Sequence, residues 1–220
     1  MKLILLSALF LLTIPLPGQE IAKSGNSSIK IRMLAMVVPP ELGKVYLISD
    51  DVRTPEFDIP INNVSEPLKV SRRTLILKDS KKDAILCNIM LPEEGKRFVI
   101  VLAPVKNSQY TAHVIRTDDL SFRSGDCFFV NFTHKSILGK LGTNHFTLES
   151  GKVAVSRPDG ARVENFYDIA FASRGAEGDR LLSTSRWPVD NKIRSYVFFI
   201  EDFSGHISYR AIDEFLMEEK

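Results

Sequence analysis

The sequence is poor in cysteine, tryptophan and net charge, and has no long apolar run outside its first residues. Two cysteines in 220 residues cannot supply a disulfide-dense scaffold or a cysteine-rich zinc site. Lys+Arg 29 against Asp+Glu 27 leaves a formal charge of +2, too little to recruit nucleic acid or anionic lipid by electrostatics alone. His113, His134, His145 and His206 are dispersed, without His-x-His or His-Glu-x-x-His spacing, so no metal site and no cofactor is expected. No segment keeps helical spacing for more than about two turns. What remains is 44% hydrophobic and 25% charged, the balance of an ordinary globular chain, which excludes wholesale disorder.

The one continuous apolar stretch is at the start. Met1-Lys2 is a short basic segment, Leu3 to Ile14 is apolar, and Pro15, Pro17 and Gly18 close it. That layout predicts a secretory signal peptide over residues 1–18, since the run falls short of the roughly 20 residues needed to span a bilayer. Cleavage would leave 220 − 18 = 202 residues and an exported protein, periplasmic or extracellular.

The rest has a period of two. Ile29, Ile31, Met33 and Ala35 alternate with Lys30, Arg32 and Leu34. Phe98 to Leu102 and Tyr196 to Ile200 are apolar on both parities, the pattern of strands covered on both faces. Turn clusters such as Pro92-Glu93-Glu94-Gly95 and Arg123-Ser124-Gly125-Asp126 recur at about the spacing of sandwiches and barrels, and predict about 14 strands. The expectation is an all-β chain of two tandem small β-sandwich (Ig-like) domains, 19–118 and 119–220, meeting in the polar stretch that starts at Arg116. No strong internal repeat is visible.

In an oxidising compartment Cys87 and Cys127 could pair across a loop of about 40 residues, which the chain-entropy model values at about 4 kcal/mol. Parity argues against the bond. Cys87 shares the face of Ile85 and Ile89, whereas Cys127 lies opposite Phe128, Val130 and Phe132. Two buried free thiols are the competing reading.

The templates for catalysis fail, and no catalytic residue is assigned. Ser183-Thr184-Ser185 is not on a Gly-x-Ser-x-Gly elbow and has no histidine nearby. The acidic pairs, Asp118-Asp119 among them, are adjacent, and adjacent strand residues point to opposite faces. The Asp118–Asp126 loop lacks the calcium-loop spacing of an EF-hand. The strongest recognition signal is the single tryptophan. Trp187, with Arg186 and Asp190, stands where a strand meets Pro188, a placement suited to stacking on a sugar or anchoring a protein. A corner Trp packing over the end of a sandwich is the preferred reading of the same residue. Asn26-Ser27-Ser28, Asn63-Val64-Ser65 and Asn131-Phe132-Thr133 match the short N-glycosylation pattern.

Val38-Pro39-Pro40-Glu41-Leu42-Gly43, Gly139-Lys140-Leu141-Gly142 and Leu182-Ser183-Thr184-Ser185-Arg186-Trp187-Pro188-Val189-Asp190 resemble stretches of exported bacterial β-sandwich proteins with no assigned function. The resemblance implies an envelope location and no activity, cofactor or catalytic residue. Together these readings predict a non-catalytic interaction module for a protein or glycan of the cell envelope. A carbohydrate-binding protein using Arg186, Trp187 and Asp190 is the first alternative, and an extracytoplasmic hydrolase the second. No nucleic-acid partner is expected.

Overall fold

The computed structural model describes residues 28–105, 109–159, 165–202 and 204–216. The predicted leader and the glycosylation pattern starting at Asn26 lie outside the described residues. The described chain is all-β, with no helix long and apolar enough to cross a membrane. Its strands are β1 (Ile29–Ala35), β2 (Val45–Ser49), β3 (Val52–Arg53), β4 (Leu68–Val70), β5 (Thr74–Asp79), β6 (Ile85–Met90), β7 (Arg97–Pro104), β8 (Tyr110–Arg116), β9 (Cys127–Asn131), β10 (Ile137–Leu141), β11 (Asn144–Leu148), β12 (Val153–Ser156), β13 (Phe166–Gly175), β14 (Gly178–Pro188), β15 (Ile193–Glu201) and β16 (Ile207–Phe215). The count exceeds the sequence expectation because β3 and β4 have only 2 and 3 residues, too few for alternation to show.

Two sandwiches follow one another. Sheet β4-β1-β7-β8 faces β3-β2-β5-β6 across one apolar cluster, and β12-β9-β15-β16 faces β11-β10-β13-β14 across another. The topology is duplicated strand for strand. In each sandwich the first strand runs parallel to the seventh, and every other ladder is antiparallel. The repeat that the sequence hides is therefore present in the fold.

A third cluster joins the sandwiches. Leu34, Val99 and Val101 from one inner sheet meet Val130, Tyr196 and Phe198 from the other. The molecule is thus four sheets deep, with β4-β1-β7-β8 and β12-β9-β15-β16 covered on both faces. That is why Phe98 to Leu102 and Tyr196 to Ile200 are apolar throughout: even-numbered Phe98, Ile100 and Leu102 fill the first core, while Val99 and Val101 fill the seam.

The seam has approximate two-fold symmetry. The hairpins β7–β8 and β15–β16 close at the pairs Pro104–Tyr110 and Glu201–Ile207. Counting back from these pairs, His113 corresponds to Arg210, and Met36 to Phe132, whose N–H groups donate to the equivalent carbonyls of Leu102 and Phe199. Both equivalent contacts are made: the His113 and Phe132 rings meet edge-on at 4.6 Å, and Arg210 donates to the Met36 carbonyl at 2.6 Å. Glu214 fixes one end of the seam. Its carboxylate accepts from Arg194 at 2.8 Å and Tyr196 Oη at 2.6 Å within its own sandwich, and from Arg32 at 2.8 Å across the seam.

Cys87 lies in the first core and Cys127 in the second, and both are free and buried. The bond considered from the sequence is not formed, because two sheets stand between the spaces into which these side chains point. Asn131 is fully buried and donates to the carbonyls of Lys135 and Leu148, so its glycosylation pattern marks a structural amide.

Two predictions concern the seam. Glu214→Ala leaves the Arg194 guanidinium buried without its partner and should cost about 3–5 kcal/mol in urea unfolding, with Glu214→Gln costing less. A loss under about 1 kcal/mol would show that this carboxylate does not hold the seam. Burial also holds His113 below the ordinary imidazole value of 6.5. A base whose folded pKa is depressed contributes full stability above its unfolded value and loses it as pH falls through that value. The urea midpoint should therefore drop as pH falls just below 6.5, and His113→Phe should flatten that part of the profile.

Candidate functional site

A cavity of about 370 Å³ opens at one end of the second sandwich, near the low end of the range for small-ligand sites. Its floor comes from neighbouring strands. Cys127 on β9 and Ser195 on β15 are direct ladder partners facing the core, and Asp213 on β16 lies opposite Ser195. Its wall comes from the β13–β14 hairpin, where Tyr167 and Trp187 are paired. The loop after β14 brings Asp190 to the rim.

Trp187 is half-buried. Its indole meets the rings of Tyr167 at 6.4 Å, Phe171 at 6.1 Å and Tyr209 at 6.4 Å. The one ring thus both packs on the core, as a corner Trp would, and lines the cavity. Asp190 shares the cavity. Arg186 does not: its neighbour Trp187 points inward, so Arg186 points out, 3.4 Å from Asp168. The structure places Arg157 there instead, a residue 30 positions from Trp187 with no local pattern that groups the two.

Arg157 is held in place. Its Nε donates to Asp126 Oδ1 at 2.6 Å and a terminal nitrogen donates to the Ser124 carbonyl at 2.8 Å. Asp126 is buried and also accepts the Arg123 N–H at 2.6 Å. Gly125, at φ +86°, turns this loop against Asn191, and its N–H donates to the Ile193 carbonyl at 2.7 Å. The carboxylates of the Asp118–Asp126 loop thus serve the protein itself: Asp118 binds Arg116, Asp119 caps Ser121, and Asp126 binds Arg157. Among the described residues no cluster of His, Cys, Asp and Glu is arranged to hold a metal ion.

The polar chemistry of the cavity is simple. Ser195 Oγ donates to Asp213 Oδ1 at 2.6 Å, and Asp190 Oδ1 accepts the Lys192 N–H at 2.7 Å. No histidine lines the cavity, so Ser195 has no imidazole base beside it. Burial pushes the Cys127 thiol up to about 12, which keeps it protonated and a poor nucleophile.

The two repeats differ at the floor of this cavity. Counted from the hairpin closures, Phe98 with its partner Arg116 takes the place of Ser195 with its partner Asp213. Phe98 fills the first core at 1% exposure, whereas Ser195 leaves that volume open. The side of the sandwich differs too: β6 packs along β8, while the corresponding β14 and β16 make no comparable approach.

No family model matches the chain, and no curated protein matches it.

The thiols give a direct check. Folded protein at pH 8 should show essentially no reactivity toward an aromatic disulfide reagent, and denatured protein should show both thiols. Burial raises the Cys87 thiol as well as that of Cys127. Rapid labelling of Cys127 in folded protein would mean that the cavity floor opens to solvent.

Proposed function

We propose that this protein is an exported, non-catalytic binding module whose ligand docks in the Trp187 cavity of the second sandwich. The observation that carries the reading is the contrast between repeats. In one repeat Phe98 packs into the core at this position, and in its duplicate Ser195 lines a cavity beside an aromatic wall and a polar rim. Export is supported by the Met1–Gly18 pattern of a basic start, an apolar run and a small residue. The resemblance to exported bacterial β-proteins supports an envelope or extracellular setting, with a glycan or protein of that setting as partner.

The lining favours a glycan. A half-buried indole beside Asn191, Ser195, Asp190 and Asp213 combines a stacking surface with acceptors and donors for hydroxyl groups. Arg186, pointing away, has no part in this reading, and Arg157 replaces it.

Trp187 is the only tryptophan, so fluorescence excited selectively at tryptophan reports on this cavity. Titration with a panel of soluble cell-envelope oligosaccharides should shift or quench that emission saturably. Ser195→Phe should abolish the response while leaving the circular dichroism spectrum unchanged. Emission indifferent to every glycan, with binding to an envelope protein that Ser195→Phe does not weaken, would move the function to another surface.

A further inference from the structure

Among the described residues, the charged side chains that line the cavity, Arg157, Asp190 and Asp213, do not cancel. Arg157 is balanced by buried Asp126, which it contacts at 2.6 Å. The exposed carboxylates of Asp190 and Asp213 accept from neutral donors, the Lys192 N–H and the Ser195 hydroxyl. Among the described residues neither forms an ion pair, and no lysine lines the cavity. Arg186, the nearest cation in sequence to Trp187, is turned toward Asp168. The first repeat again gives the contrast: the counterpart of Asp213 is Arg116, engaged by Asp118 and Glu94, at the end that Phe98 fills. In the first repeat this position is a cation bound by carboxylates, and in the second it is a carboxylate that pairs with no cation among the described residues.

A positive group entering such a site is attracted twice, by the carboxylates and by the negative π-face of the indole. We infer that the ligand is a saccharide bearing a free ammonium group, an amino sugar whose amine is not acylated. This rests on the glycan reading of the cavity. The sugar ring meets Trp187, its hydroxyls meet Asn191 and Ser195, and its ammonium is neutralised by Asp190 and Asp213.

The test compares two tetrasaccharides differing only in acylation, a glucosamine tetramer and its N-acetylated form. Binding is read by Trp187 fluorescence and by calorimetry at low ionic strength. The free amine should bind about tenfold or more tighter, and that advantage should fall at high salt and vanish in Asp190→Asn/Asp213→Asn, two exposed substitutions that leave the core intact. Equal affinities for the two tetramers would overturn the ammonium assignment and leave the glycan reading standing. Binding of neither would overturn both. Trilysine binding as tightly as the amino sugar would overturn the saccharide assignment in favour of a cationic peptide. Ser195→Phe should remove amine-dependent binding, and survival of that binding in the folded variant would place the ligand elsewhere.

Discussion

The Glu214 carboxylate organises the join between the sandwiches. Arg194 donates to it through two nitrogens, at 2.8 and 3.2 Å, Tyr196 adds a hydroxyl, and Arg32 reaches it from the other sandwich. Arg194 in turn donates to the Thr117 carbonyl at 2.7 Å and lies over the Phe122 ring, tying in the connection between the sandwiches. Burial, and then the charge of Glu214, raises the Tyr196 pKa well above its ordinary value, so the phenol stays neutral and donates. The surrounding seam is aliphatic and aromatic, and such surfaces pack acceptably in more than one register. A buried carboxylate with four donor contacts does not. Its contribution is therefore to specificity at least as much as to stability, because desolvating these charges offsets much of their attraction.

Fixing the seam also fixes the cavity. Cys127 and Ser195 sit on β9 and β15, and the opposite faces of those strands carry Val130, Tyr196 and Phe198 into the seam. The cavity floor is thus backed by the first sandwich rather than by solvent. A site on strands held from behind keeps its geometry better than one on free loops.

The fold was legible because burial on two sides writes itself into residue type. Alternation marks a strand with one wet face, and the runs at Phe98 and Tyr196 mark strands with none. The cysteine parity was informative for the same reason: Cys127 and Phe129 point into the second core while Phe128 and Val130 point into the seam. The duplication was not legible, since topology requires only apolar pattern and turn position. Met36 and Phe132, or His113 and Arg210, occupy equivalent sites with different chemistry. At the cavity, Trp187 and Asp190 were found because they are close in sequence and chemically distinctive. Arg186 was grouped with them by proximity, although alternation along β14 already set it on the other face. Arg157 was missed because only the β9–β12 ladder and the Asp126 contact bring it there.

The two repeats are a comparison made within one chain. They share strand order, ladder direction and the length of the hairpin between their last two strands, so their differences at equivalent positions of those strands do not follow from topology. Replacing a buried aromatic by serine forfeits roughly 1.5–3 kcal/mol of burial and leaves a space that packing would otherwise fill. Such a space at the floor of a cavity runs against stability, and it coincides with the parted edges of β14 and β16 and with a reversal of charge from Arg116 to Asp213. Relaxed packing alone accounts for a void, but not for the aromatic wall beside it or for two carboxylates that pair with no cation among the described residues. In the first repeat the same fold fills this position with Phe98.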